Sequence, residues 1–342
     1  MDGKSCKTGW RFDMRAILDR LFTHAVLSRQ EAYRLLIDIA SAPPAQVAAL
    51  MTVYRMRPVS ADELMGFRDA MIELCLAIDL FEFEPIDLCG TGGDGKETFN
   101  ISTLASFVVA GTGIKVAKHG NYGVSSLCGS SNVLEYLDVR FTGDRDRLRR
   151  MMDRAGICYL HAPLFHPAMK TVAPVRRELG VKTFFNILGP LVNPASPVAQ
   201  AIGVYNLELA RLYGYVHQQS DRPFVILHSL DGYDEISLTG PFKVITRCGE
   251  NVIEPDELAL PMVAPSDLSA GKNVPEAAEI FMRILSRRGT PAQNAVVIAN
   301  AAMAISVARC TMPMADCVAE ARDSLLSGRA LNTFTVFREL GG

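Results

Sequence analysis

The chain has 342 residues, 49% hydrophobic and 21% charged, which supports a sizeable folded core, suggests roughly two domains and excludes wholesale disorder. A formal net charge of −2 provides no global field for a polyanion, so nucleic acid is not an expected partner. Eight cysteines form no C-x-x-C pair and no metal spacing with six histidines, no apolar run reaches membrane-span length and no secretory segment opens the chain; cytoplasmic, reduced thiols and no membrane partner are expected.

Residues 1–13 read as a tail. Helical periodicity then predicts helices over 14–25, 28–39, 45–54 and 60–78, with Ser28/Glu31 and Ser60/Glu63 at capping-box spacing. The texture changes after residue 82. Short apolar runs at 86–89, 114–117, 157–160, 199–205 and 224–228 read as strands, alternating with helices over 102–110, 131–137, 145–155, 167–179 and 207–217. Arg145, Arg147, Arg149 and Arg150 interleave with Asp144, Asp146 and Asp153, the pattern of a solvated helical face. Segments 233–238, 242–247 and 251–255 suggest a small antiparallel excursion, and helices resume over 274–285, 291–308 and 314–327. The expected architecture is a helical domain, 14–81, completed by the 166–180 helix, and an α/β domain, 82–335, with a central, mostly parallel sheet.

Two clusters carry the chemistry. Gly90-Thr91-Gly92-Gly93-Asp94-Gly95-Lys96 follows a predicted strand. Its G-x-x-x-x-G-K spacing is not a nucleotide P-loop, because Glu97 stands where a magnesium-binding hydroxyl is needed and Thr98-Phe99-Asn100 delay the helix. Glycines that tolerate positive φ, followed by Asn100-Ile101-Ser102-Thr103 at a helix start, suit a phosphorylated ligand, although Ser102 or Thr103 read alone serves equally as a cap. The second cluster, Lys118-His119-Gly120-Asn121, follows the strand predicted over 114–117 and leads to Ser125, Ser126 and Ser130. It places one cation at a strand end beside a turn, suited to leaving-group charge, with His119 in a neutral positioning role. Farther on, Asp234-Glu235 is too small a set for an EF-hand but suits a magnesium ion completed by water and phosphate.

These segments, with His166-Pro167-Ala168-Met169-Lys170 and Phe185-Asn186-Ile187-Leu188-Gly189-Pro190-Leu191-Val192-Asn193-Pro194, resemble the anthranilate phosphoribosyltransferase family over residues 15–335. The resemblance implies a nucleoside phosphorylase-like fold, a homodimer formed through the helical part, and magnesium-dependent transfer of phosphoribose from phosphoribosyl pyrophosphate to the amine of anthranilate. Carried over by motif, it assigns the donor site to Gly90, Gly93, Asp94, Thr98, Asn100, Ile101, Ser102, Thr103, Lys118, His119, Gly120, Asn121, Tyr122, Gly123, Val124, Ser125, Ser126 and Ser130. Ser102, Asp234 and Glu235 would serve magnesium, and Gly90, Asn121 and Arg176 would meet anthranilate, with Lys118, Asp234 and Glu235 supporting catalysis.

Two segments depart from the family pattern: Tyr122 stands where arginine is common, and Gly129-Ser130-Ser131-Asn132 stands where Gly-Ser-Ala-Asp is usual. Two alternatives are a pyrimidine-nucleoside phosphorylase and a non-catalytic binding paralogue. The first usually reads Lys-His-Ser-Thr-Gly-Gly, unlike Lys118-His119-Gly120-Asn121, and the second calls for a basic face that the charge balance does not supply.

Overall fold

The computed structural model describes residues 13–123 and 128–341, so the expected site residues Val124, Ser125 and Ser126 lie outside the described residues. The chain divides into two compact units, one comprising residues up to Leu74 with Ala168–Phe184, the other Cys75–Pro167 with Phe185–Gly342.

The first unit begins with α1 (Met14–Phe22), α2 (Arg29–Asp38), α3 (Pro44–Met56) and α4 (Ala61–Glu73), joined by a later helix over Met169–Leu179. Both expected capping boxes are present, Ser28 with Glu31 and Ser60 with Glu63. Glu63 does more than cap. It is fully buried and accepts from Leu27 N at 3.0 Å, Tyr54 Oη at 2.8 Å and the Arg57 guanidinium, tying three segments to one carboxylate. Beside it, Tyr54, Phe67 and Phe184 form an aromatic cluster with ring centroids 4.5–5.4 Å apart.

Two helices end earlier than expected. Helix α1 stops at Phe22 rather than 25 because His24 takes φ +64°. Helix α4 stops at Glu73 rather than 78, and the chain that follows belongs to the second unit: Leu76 N donates to Phe165 O, Ile78 N donates to Pro194 O, and Ile78 and Leu80 join that unit's core. The expected boundary near 82 thus falls several residues after the change of unit.

The second unit runs β1 (Ile86–Gly90), α5 (Ile101–Ala110), β2 (Val116–Gly120), α6 (Ser130–Tyr136), α7 (Arg145–Arg154), β3 (Ile157–His161) and α8 (Ala162–Phe165). The Met169–Leu179 helix of the first unit, α9, interrupts it. It resumes with β4 (Ala199–Gly203), α10 (Leu207–Gln218), β5 (Phe224–Ser229), β6 (Phe242–Thr246), β7 (Gly249–Ile253), α11 (Val274–Arg283), α12 (Pro291–Ala308), α13 (Met314–Ser327) and α14 (Arg329–Gly341). Among the described residues the strands form a seven-stranded sheet ordered β3-β2-β1-β4-β5-β6-β7. Pairing is parallel from β3 to β5 and antiparallel from β5 to β7. Strands β1, β2 and β3 are nearly continuous apolar or buried runs, as a covered parallel sheet requires.

Several details differ from expectation. Strand β2 runs to Gly120 rather than ending at 117, so Lys118 and His119 lie within it. Segment 233–238 is not a strand: the backbone of Ile236 is taken by the Asn300 side chain, and Leu238 has φ +58°. The segments expected over 242–247 and 251–255 are β6 and β7, which extend the main sheet rather than forming a separate excursion. Helix α11 gives way before 285 to a widened turn, Ile284–Arg288, in which Arg287 has φ +63°. Contrary to the expectation that no apolar run spans a membrane, α12 is long and apolar enough by length and composition; 72% of it is buried against the protein, as in a core helix. Helix α14, which periodicity did not single out, packs Phe334 and Phe337 on Phe107 of α5.

Candidate active site

The sheet reverses direction of growth between β1 and β4, and the crevice outside the carboxyl ends of those strands is where parallel sheets place ligands. Both strands end in glycine there, Gly90 paired with Gly203. A Cβ at either would overlap Asp234, at its carboxylate for Gly90 and at its backbone oxygen for Gly203. The turn after β1 uses positive φ at Gly92 (+64°), Gly93 (+85°) and Gly95 (+73°), and aims the Gly92 N–H at Asp234 Oδ2, 2.6 Å away. Asp94 closes the turn by accepting from Lys96 N at 3.1 Å, while its Oδ2 is buried with no donor among the described residues.

Helix α5 starts beside this turn. Its N-cap, Asn100, makes no side-chain cap; its amide donates to Cys128 O at 3.2 Å. Neither Ser102 nor Thr103 caps the helix. Glu235 does so from another segment, its Oε1 accepting from Ser102 N at 3.2 Å, an N-terminal placement that suits a carboxylate. Ile101 and Thr103 are buried, whereas Thr98 is half-buried and its backbone bridges to Ser269.

Lys118 lies inside a strand rather than at a strand end beside a turn. It is buried within β2, its Nζ donating to Leu88 O at 2.6 Å and lying 3.4 Å from Ser102 Oγ. Burial raises the pKa of both Glu235 and Asp87, and the positive charge of Lys118 opposes that rise in each. The structure therefore brings Gly90, Asp94, Ser102, Lys118, Asp234 and Glu235 into one cluster.

That cluster is short of positive charge. Burial first, then the charges of Glu235 and Asp94, pushes the Asp234 carboxyl well above its ordinary range. Glu235 rises to about 7, again chiefly through burial, with Lys118 and the Ser102 hydrogen bonds pulling the other way. Hard carboxylate oxygens that repel one another, one of them buried without a donor, fit a divalent cation of the magnesium type. Among the described residues no group of three or more His, Cys, Asp or Glu is placed to hold a metal ion, so at most two acids would ligate it and water or substrate oxygens would have to supply the rest of the shell.

Residues that sequence reasoning missed hold the acids in place. Asn300, buried in α12, accepts from Ile236 N at 3.0 Å and donates to Ile236 O and Val296 O, both at 2.9 Å. Ser229 donates to Glu235 O at 2.7 Å, and Gly203 makes room for Asp234. A single amide inside the apolar stretch from Ala295 to Ile305 was the available signal for Asn300.

At the end of β2, a Cβ on Gly120 would overlap Tyr159 Oη and Ser130 Oγ, so any larger residue must displace those hydroxyls. Asn121, Tyr122 and Gly123 follow, exposed, and Ser130 Oγ donates to Asn121 O at 3.3 Å. His119 is buried and neutral: burial, then the neighbouring His166 ring 5.2 Å away, brings its pKa down to about 3. Its Nδ1 lies 3.2 Å from Gly189 O, so Nδ1 carries the proton and Nε2 is a buried acceptor with no donor among the described residues. Arg176 lies on α9 in the first unit, half-buried, its pKa lowered by burial.

Comparison with known proteins places this geometry. Residues 83–331 match the glycosyl transferase family, a/b domain, and residues 15–75 its helical bundle domain. The chain is 55% identical to the anthranilate phosphoribosyltransferase of Flavobacterium johnsoniae over 96% of its own length and 99% of that protein's. The crystal structure of anthranilate phosphoribosyltransferase from Thermus thermophilus superposes with a TM-score of 0.88 at 32% identity, covering 95% of this chain and 98% of that one. The Saccharomyces cerevisiae enzyme, solved in complex with PRPP and Mg, shares the fold at 24% identity with a TM-score of 0.87, covering 96% and 97% of the two chains. With one domain model spanning most of its length and a relative more than half identical from end to end, the chain belongs to the anthranilate phosphoribosyltransferase family.

Proposed function

We propose that the protein transfers the phosphoribosyl group of phosphoribosyl pyrophosphate to the amine of anthranilate, releasing pyrophosphate. The observation that carries this reading is the Asp94, Asp234, Glu235 and Lys118 cluster at the β1/β4 switch point, in a chain of this family. In the reaction the anomeric C–O bond to pyrophosphate breaks, the C–N bond forms on the opposite face, and the amine loses one proton after attack.

Asp234 and Glu235, with the Ser102 hydroxyl, would hold magnesium, which supplies neutralisation of charge on the pyrophosphate when bound. Lys118, fixed by Leu88 O, adds a preorganised positive charge at the pyrophosphate end. Asn121, Tyr122, Gly123 and Ser130 contribute the second polar rim, and neutral His119 positions rather than removes a proton, since an aromatic amine is uncharged near neutral pH and needs little activation. Arg176 takes the anthranilate carboxylate, a role that a two-pronged guanidinium suits.

The family resemblance and the exposed apolar side chains Phe22, Val26 and Met56 on the helical unit support a homodimer, and the free cysteines support a cytoplasmic setting. Incubation with magnesium, phosphoribosyl pyrophosphate and anthranilate, omitting each in turn, tests the activity: loss of anthranilate fluorescence only in the complete mixture is the expected result, and persistence of fluorescence in that mixture rejects it. Arg176→Ala should raise the anthranilate KM with a much smaller effect for an acceptor lacking the carboxylate. Light scattering at several concentrations tests the dimer.

A further inference from the structure

The chain leaves β2 through Asn121, Tyr122 and Gly123 and returns at Gly129 to enter α6. One side chain joins the two sides. Asn132 Oδ1 accepts from Gly123 N and from Gly129 N, each at 3.0 Å. Because both partners are N–H donors, the amide must present its oxygen here. The two backbones touch: a Cβ on Gly129 would overlap Gly123 N and the Tyr122 carbonyl carbon. Ser131 N donates to Asn121 O at 3.2 Å, and Tyr122 Oη donates to Glu135 at 3.1 Å while the Tyr122 ring stands edge-on to His161 at 5.0 Å. The two sides of this neck are therefore fastened through the first turns of α6, and among the described residues Asn132 is the side chain that bonds both Gly123 and Gly129.

We propose that Asn132 is a positioning residue for the phosphoribosyl donor: its amide oxygen fastens Gly123 to Gly129 and thereby fixes Asn121, Tyr122 and Ser130. The inference rests on the donor-binding reading of that rim given above. Asn132 itself does not touch substrate; it acts through the two backbone N–H groups. Removing the acceptor leaves two converging N–H groups without a partner and frees the neck, so the ordering of the rim must then be supplied when donor binds.

The test compares Asn132→Leu, which removes the acceptor, with Asn132→Asp, which keeps it. The expected result is a rise of about tenfold in the KM and calorimetric Kd for phosphoribosyl pyrophosphate with magnesium in the leucine variant, with kcat and the anthranilate KM within about twofold. The aspartate variant should stay within about threefold of the parent in donor affinity, since it retains both hydrogen bonds. An unchanged donor KM in the leucine variant, equal changes for both substrates, or an aspartate variant as impaired as leucine overturns the proposal. Should the leucine variant fail to fold, amide hydrogen exchange on the parent decides: Gly123 and Gly129 should be protected and gain protection with donor and magnesium, and fast exchange at both overturns the neck. Parent protein with no turnover in the same assay would reject the functional reading instead, which keeps the two failures apart.

Discussion

Gly90 and Gly203 are register partners at the ends of β1 and β4, and the space where each would carry a side chain is filled by Asp234. An acid proposed above to hold magnesium is thus seated by the absence of two Cβ atoms. Gly203→Ala forces the Asp234 backbone outward, and overpacking of this kind costs about 1–3 kcal/mol. The expected outcome is a stably folded protein with a loss of magnesium-dependent turnover out of proportion to its loss of stability, read by denaturation and by rate at saturating metal.

Replacing the acids separates metal binding from folding. Asp234→Asn with Glu235→Gln should abolish turnover yet leave the metal-free protein as stable as the parent or more so at pH 8, because both carboxyls are held above their ordinary pKa by burial and mutual repulsion. The sign follows from linkage: a raised folded pKa contributes stability below the unfolded value, 4.5 for Glu235, that is lost as pH rises through about 7. The double variant should flatten that decline in urea titrations of the metal-free protein. Turnover comparable to the parent's would reject the metal assignment.

The histidine pair predicts the opposite slope. His119 and His166 are brought down to about 3 and about 4 from 6.5, chiefly by burial. A depressed folded pKa contributes stability above the unfolded value and loses it as pH falls, so the protein should weaken progressively below about pH 6.5. His166→Asn should reduce that acid loss, measured as the change in unfolding free energy between pH 7 and pH 5. An identical slope in the variant would show that these rings do not carry it.

Asn300 offers a test of support at a distance from any ligand. Truncation to alanine strands the Ile236 N–H and C=O in the core, and leaving buried partners unsatisfied costs about 1–3 kcal/mol for each group. Asn300→Ala should therefore lower stability by at least about 2 kcal/mol and weaken magnesium activation, because Ile236 directly follows Glu235. A drop in stability with the metal dependence unaltered would mean that the amide serves packing alone.

In the helical unit, Glu63→Ala removes one carboxylate that serves Leu27, Tyr54, Ser60 and Arg57 together. Breaking a buried pair from one side costs about 3–5 kcal/mol, well above the value of an ordinary helix cap. Calorimetry of the variant should show a large fall in Tm. A fall no larger than that for Ser60→Ala would reduce Glu63 to a simple cap.

Local signals in the sequence were reliable where the physics is local. Ser28/Glu31 and Ser60/Glu63 spacing located two helix starts, and alternating apolar runs located β1, β3, β4 and β5. Lys118 shows the limit: strand ends depend on pairing, and β2 continues to Gly120 because β3 pairs with it through His161. The 233–238 segment looked extended because its residues favour strands, yet its backbone is claimed by Asn300 from far along the chain. Ser102 was legible as a helix-start hydroxyl, but not that Glu235 would do the capping. Contacts between positions remote in sequence, such as those made by Gly203 and Asn300, leave no periodic trace.

The helix bearing Ser102 is buttressed by residues synthesised long after it. Phe107 of α5 meets Phe334 and Phe337 of α14 edge to face, at centroid distances of 5.2 and 5.4 Å. While the chain is still emerging from the ribosome, the Phe107 ring has neither partner, and a largely apolar helix waits uncovered. The packing around α5 is thereby completed only when nearly all of the polypeptide is available, and nascent fragments that stop before α14 should be retained by chaperones.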